Sequence, residues 1–149
     1  MREKRGRNLP REGSGASIGW LGRLVALARR WAARRPLSFG RRSERLAARH
    51  LRWRGYRVIA RNFRAAGAEI DLVAMDGGTL VFVEVKARRG NIAGAPADAV
   101  DEAKRRRIRR AARIFAVRYR ADNCPIRFDV VAISGDGPSR KFEILRNAF

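Results

Sequence analysis

The stretch GAEIDLVAMDGGTLVFVEVKARR, Gly67 to Arg89, reads as two apolar strands around a glycine pair, yet it carries Asp71, Glu84 and Lys86 within those strands. A Gly-Gly pair between two such runs favours a two-residue hairpin turn. With Gly77 and Gly78 as the turn, Asp76 faces Thr79, Met75 faces Leu80, Val73 faces Phe82, Asp71 faces Glu84 and Glu69 faces Lys86. A four-residue loop from Asp76 to Thr79 leaves this pairing unchanged. Directly opposed residues place their Cβ atoms about 4.5 to 5.5 Å apart, where like charges destabilise a sheet unless something positive lies between them. Ile70, Leu72, Val81, Val83 and Val85 fall on the opposite face and supply a core, so one face packs and the other carries the charges.

Two close carboxylates open to approach suit a hard cation. Mg²⁺ commonly takes one or two carboxylates and keeps waters and phosphate oxygens as its other ligands. Lys86 returns to the same face two residues after Glu84, where an ammonium can stabilise an attacking hydroxide or the charge developing on a phosphorane. The plain alternative is a solvated face with a cross-strand salt bridge. Against it stand the pairing of the acids by register, the basic surroundings and the scarcity of lysine. Lys4, Lys86, Lys104 and Lys141 are the four lysines among 35 basic residues, the other 31 being arginines. A chain so biased to Arg that keeps Lys at 86 points to a need for a compact point charge there.

Outward from the hairpin, SERLAARHLRWRG (Ser43 to Gly55) places Ala47, Ala48 and Leu51 on one helical face, with Gly55 suited to the left-handed residue past the end. Glu44 shares that face, and a carboxylate turned toward a core is rare unless paired. YRVIARNF (Tyr56 to Phe63) alternates as a strand. A long helix is expected from Pro96 to Arg120, with Pro96, Asp98, Asp101 and Glu102 at its positive end. Its apolar stripe runs Val100, Ile108, Ala112, Phe115, Tyr119, and Lys104 takes the place between the first two. Lys104 therefore faces the domain, either reaching the acids or a bound phosphate or snorkelling at the stripe's edge. KRRRIRR supplies the strongest local basic patch, with Arg105, Arg106 and Arg109 suited, like Lys104, to a phosphate backbone. RFDVVAIS and KFEIL close the chain as strands around the turn GDGPS. The order α-β-β-β-α-β-β predicts an α/β fold, a mixed central sheet of about five strands flanked by helices.

The 149 residues allow one packed domain and a tail. Residues 1–38 read as a basic N-terminal extension, a disordered tail followed by an amphipathic helix ending at Pro36, and 39–149 as the domain. The net charge of +21 calls for a polyanionic partner, nucleic acid first and an anionic membrane surface second. The amphipathic segment is too short and too rich in Arg to span a bilayer, and no cleavage site of small residues follows it. It is open to lying on a membrane, touching nucleic acid or docking on the domain, with docking or plain solvation expected before membrane contact. His50 is the only histidine and Cys124 the only cysteine, which excludes a zinc cluster and an internal disulfide and fits a reducing, cytoplasmic setting.

EIDLV followed by VFVEVKAR resembles the PD-(D/E)xK motif of the restriction-endonuclease-like superfamily. The wider pattern resembles the YraN-type bacterial proteins: Gly40, Glu44 and Leu46-Ala47-Ala48, then Gly55-Tyr56, RNFR at 61 to 64, RFDVV at 127 to 131 and the closing NAF. The likeness covers about Gly40 to Phe149. It implies a restriction-endonuclease-like core in which Asp71 and Glu84 bind metal, Mg²⁺ or Mn²⁺, the carbonyl of Val85 is a backbone ligand, Lys86 is the catalytic lysine and Glu44 is an added first-helix acid. Two positions depart from the pattern, Ile70 standing for the motif's proline and Ala68 for a second glycine. The superfamily's Holliday-junction resolvases suggest branched DNA, although fold is a weak warrant for substrate.

These readings converge on a metal-dependent endonuclease acting on nucleic acid, DNA before RNA. The rival is a non-catalytic nucleic-acid-binding module on the same fold. Retention of the acids favours chemistry, since a purely electrostatic binder does better without carboxylates beside its phosphates. Symmetric cutting of a duplex needs two sites, which makes a homodimer compatible.

Overall fold

The computed structural model describes residues 39–87 and 101–149. In chain order the elements are α1 (Phe39–Trp53), β1 (Arg57–Ala65), β2 (Ala68–Asp76), β3 (Thr79–Ala87), α2 (Glu102–Arg118), β4 (Ile126–Ser134), a 3-10 turn (Gly137–Ser139) and β5 (Lys141–Leu145). The strands lie side by side in sequence order as one mixed sheet. All neighbours are antiparallel except β3 and β4, which run parallel across the α2 connection. This is the expected α-β-β-β-α-β-β order and fold class. The expected extension over 1–38, with its tail and amphipathic helix, lies outside the described residues.

Each sheet face carries one helix. On one side, Ala47, Ala48 and Leu51 of α1 pack on Leu72, Ala74, Val81, Val83 and Val131. On the other, Ile108, Ala112 and Phe115 of α2 pack on Ile59, Ile70, Val73, Met75 and Phe82. The expectation that one face packs while the other bears the charges is therefore corrected. Both faces are apolar through most of their length, and the charges gather at one end. Ile70 belongs to the α2 side rather than joining Leu72.

The helices begin away from the expected residues. The first starts at Phe39, earlier than Ser43, and Gly55 follows its end at φ 90° as its place past a helix terminus demands. The second starts at Glu102 rather than Pro96, because the Asp101 carboxylate accepts the Lys104 N–H at 2.7 Å and caps it. Pro96, Asp98 and Val100 lie outside the described residues.

The central hairpin follows the expected register from Asp76 opposite Thr79 to Met75 opposite Leu80 and Val73 opposite Phe82. Its last rung is Leu72 opposite Val83. Beyond it β2 continues only against β1, to Ala68 opposite Ala65, while β3 continues only against β4, to Ala87 opposite Ile133. The sheet thus opens into a fork between β2 and β3, with Asp71 on one arm and Glu84, Val85 and Lys86 on the other. Glu69 does not face Lys86 as expected; it pairs with Arg64 across β1 at 2.9 Å.

A second polar assembly closes the sheet at its opposite end. Arg127 donates to Asp129, to Asp76 at 2.8 Å and to the Tyr56 hydroxyl at 3.1 Å. Arg146 reaches the same hydroxyl, and the Asn147 N–H bonds Asp129. The motif residues Tyr56, Arg127 and Asp129 thus tie the first turn, the hairpin and the chain's end together. Phe149 of the closing NAF stacks on Phe128 at 5.4 Å.

Candidate active site

The fork creates the site. Where β2 and β3 part, the Val85 N–H loses a β2 carbonyl as partner, and Asp71 Oδ2 accepts it at 2.7 Å. A carboxylate thereby bridges the two arms. Burial first, and then the charge of Glu84, push the Asp71 carboxyl up to about 7, with the Val85 N–H and the Lys104 charge working the other way. The mutual repulsion of the two acids is the electrostatic signature of register neighbours one step past the last rung.

Glu84 is almost fully buried, at 8% exposure, and such a carboxylate requires pairing. Two lysines meet its Oε1. Lys86 Nζ lies 3.0 Å away along the same strand, and Lys104 Nζ arrives from α2 in direct contact. Burial works against the Lys104 charge, but the hydrogen bond and charge of Glu84 outweigh it and hold the lysine above its ordinary pKa. Of the two placements open to Lys104, the structure shows the reach to the acids.

Glu44 comes in from the first turns of α1. Its Oε2 accepts the Asn62 Nδ2 at 2.7 Å, and its charge contributes to the rise at Asp71. Asn62 was not singled out from the sequence. Rungs Arg61 to Leu72 and Phe63 to Ile70 bracket it, so it stands opposite Asp71, and its φ is 50°. Left-handed backbone inside a strand is rare, and asparagine is among the few residues that adopt it at modest cost. The signals in the sequence are its place in the RNFR pattern and a short amide in the middle of an otherwise apolar and basic strand.

Of the other expected contacts, Arg106 and Arg109 are exposed on α2 and Arg105 is half-buried. Arg106 and Arg109 flank Glu102 at 3.9 and 3.6 Å, and the Arg105 guanidinium lies 5.9 Å from the Phe149 ring centre. Glu44, Asp71, Glu84, Lys86 and Lys104 are thus brought together, whereas Arg105, Arg106 and Arg109 line an adjoining surface.

No three Asp, Glu, His or Cys side chains among the described residues converge as a ligand cluster. The donor set is two carboxylates, Asp71 and Glu84, beside the backbone of Val85. That composition fits a hard ion that keeps part of its water shell, and it does not fit zinc.

A model of the uncharacterised protein family UPF0102 matches residues 43–133. The chain belongs to this family. A UPF0102 protein of Symbiobacterium thermophilum is 47% identical over 112 residues, covering 74% of this chain and 94% of its own length. Another, from Solibacter usitatus, is 47% identical over 132 residues, covering 87% of this chain and 99% of its own. The YraN-type resemblance is met by these matches. The UPF0102 match encloses all five residues of the fork site, Asn62 and the Arg127–Asp129 pair.

Proposed function

We propose that this UPF0102 protein is a metal-dependent endonuclease of the PD-(D/E)xK kind that hydrolyses phosphodiester bonds in nucleic acid, DNA before RNA. The observation that carries the reading is Asp71 bridging the fork to Val85 while Glu84 lies beside it under two lysines. Asp71, Glu84 and the Val85 carbonyl would hold Mg²⁺ or Mn²⁺, which when bound polarises a phosphate and lowers the pKa of water. The chain supplies the rest. Lys86 places a positive charge where an attacking oxygen or a phosphorane gathers negative charge. Lys104 neutralises Glu84 and is positioned to turn toward a phosphate when a cation relieves it of that duty. Glu44, oriented by Asn62, adds its negative charge to the field at Asp71. The arginines of α2, Arg105, Arg106 and Arg109, give the phosphate backbone a surface beside the fork.

We place this activity in the cytoplasm, a reading that the free Cys124 supports. Among the described residues no helix is long and apolar enough to cross a membrane. A homodimer would give duplex cutting its second site.

A second reading draws on one observation. Glu84 is already satisfied by Lys86 and Lys104, so the knot of charges can serve as a structural tie under a nucleic-acid-binding module. Cleavage of labelled linear, flapped and four-way DNA and RNA in Mg²⁺ or Mn²⁺ separates the two, with Asp71→Asn and Lys86→Ala compared with wild type. Metal-dependent cutting lost in both variants supports the endonuclease. Binding without cutting, with both variants binding as well or better, supports the module.

A further inference from the structure

The outer face of α1 is arranged as a track. Arg42, Arg45, Arg49 and Trp53 follow one another at i, i+3, i+7 and i+11, a spacing that puts them on one side of a helix. The track is about 16 Å long at 1.5 Å per residue. It begins beside Glu44, at the fork, and ends on an indole that is 79% exposed, the most exposed large apolar side chain among the described residues. Arg42, Arg45 and Arg49 are exposed and make no ion pair among the described residues. Burial first, and then the charges of Arg52 and Arg45, lower the Arg61 pKa, with Glu44 working the other way, so positive charge outweighs negative on this side of the molecule.

The indole is braced. His50 lies 6.2 Å from the Trp53 ring centre and itself stacks on Phe142 of β5 at 4.6 Å, with the planes 7° apart. Burial and Arg54 lower the His50 pKa, which favours the uncharged ring. A supported aromatic ring at the end of an arginine row fits a strand of nucleic acid whose bases are free to stack. A duplex offers phosphates to the arginines but keeps its base faces stacked on one another.

We propose that the outer face of α1 binds single-stranded nucleic acid, Arg42, Arg45 and Arg49 following the phosphates and Trp53 stacking an unpaired base. The inference rests on the nucleic-acid reading and narrows it to substrates with an unpaired segment next to the cut. Charge argues against the other occupants. Residues 1–38 hold ten Lys and Arg against Glu3 and Glu12, and a second copy of α1 is as basic as the first.

The test is anisotropy of a short labelled oligonucleotide, as single strand and as duplex, with the full chain in EDTA. Trp53→Ala is expected to weaken single-strand binding about tenfold while leaving duplex binding unchanged, and Trp53→Phe is expected to retain most of it. Equal losses on both forms, or no loss on the single strand, overturn the proposal. So does Trp53-dependent binding to phosphatidylglycerol vesicles by a chain that binds neither nucleic acid. Single-strand binding through Trp53 by a chain that cuts nothing in Mg²⁺ or Mn²⁺ supports the track and overturns the endonuclease.

Discussion

Asp71 carries a free-energy cost that pH can expose. Its folded-state pKa is raised from 3.8 to about 7, so between those values the folded chain holds a proton that the unfolded chain has lost. Stability from this group is fully present below about pH 4 and is lost as pH rises through 7. Asp71→Asn removes the ionisation while keeping an oxygen for the Val85 N–H. In EDTA its melting temperature should match wild type at pH 4, exceed it progressively up to pH 7 and stay above it by a constant margin beyond; parallel curves would refute the assignment. Asn62 separates strain from positioning in the same neighbourhood. Asn62→Gly keeps the left-handed backbone and loses the Glu44 bond, with a cost of about 0.5–1 kcal/mol from the freer unfolded chain, whereas Asn62→Val loses the same bond and adds about 1–2 kcal/mol of backbone strain. Urea titration should place Val well below Gly, and equal midpoints would show that φ at 62 is not held at 50°. The acids and Lys86 were legible from turn register, and Lys104 from its place in an apolar stripe. Asn62 was not, because φ is invisible in a one-dimensional pattern and its partner lies 18 residues away.

The fork marks where local pattern stops informing. Turn register alone carries the pairing on to Glu69 and Lys86, so the sequence extends the hairpin past Leu72 and Val83. Its actual end, at Leu72 opposite Val83, lies where the two strands part while β1 and β4 go on pairing their outer edges, long-range pairings that local pattern does not encode. The helix start shifts for a related reason, since Pro96 and Asp101 are both start signals and only the cap geometry chooses between them. The first hairpin yields a prediction of its own. Ala66 and Gly67 have φ of 50° and 70°, the pattern of a turn that favours Asn-Gly. Ala66→Asn should therefore stabilise by about 0.5–1 kcal/mol, read as a higher urea midpoint with unchanged slope. A lower midpoint would show that the alanine methyl matters more than the turn.

The whole molecule divides its charges by task. At the hairpin end, acids and arginines are matched for stability, while at the fork end acids and lysines crowd together near two arginine-rich helix surfaces. Asp129 is fully buried and depends on Arg127, so Arg127→Met strands a buried carboxylate. Losing one partner of such a pair costs about 3–5 kcal/mol, and equilibrium unfolding should show a loss of that size. A loss under about 1 kcal/mol, the range of exposed pairs, would mean that Asp129 is satisfied by the Asn147 N–H alone. The charge excess of +21 was legible from composition, whereas its division into two ends required the folded chain. The cation site proposed at the fork is tested most directly by calorimetric titration of Mn²⁺ into wild type, Asp71→Asn and Glu84→Gln at neutral pH. Saturable binding by wild type that is lost in both variants is the expected result. No binding, or binding untouched by either substitution, would contradict a metal site built on Asp71 and Glu84.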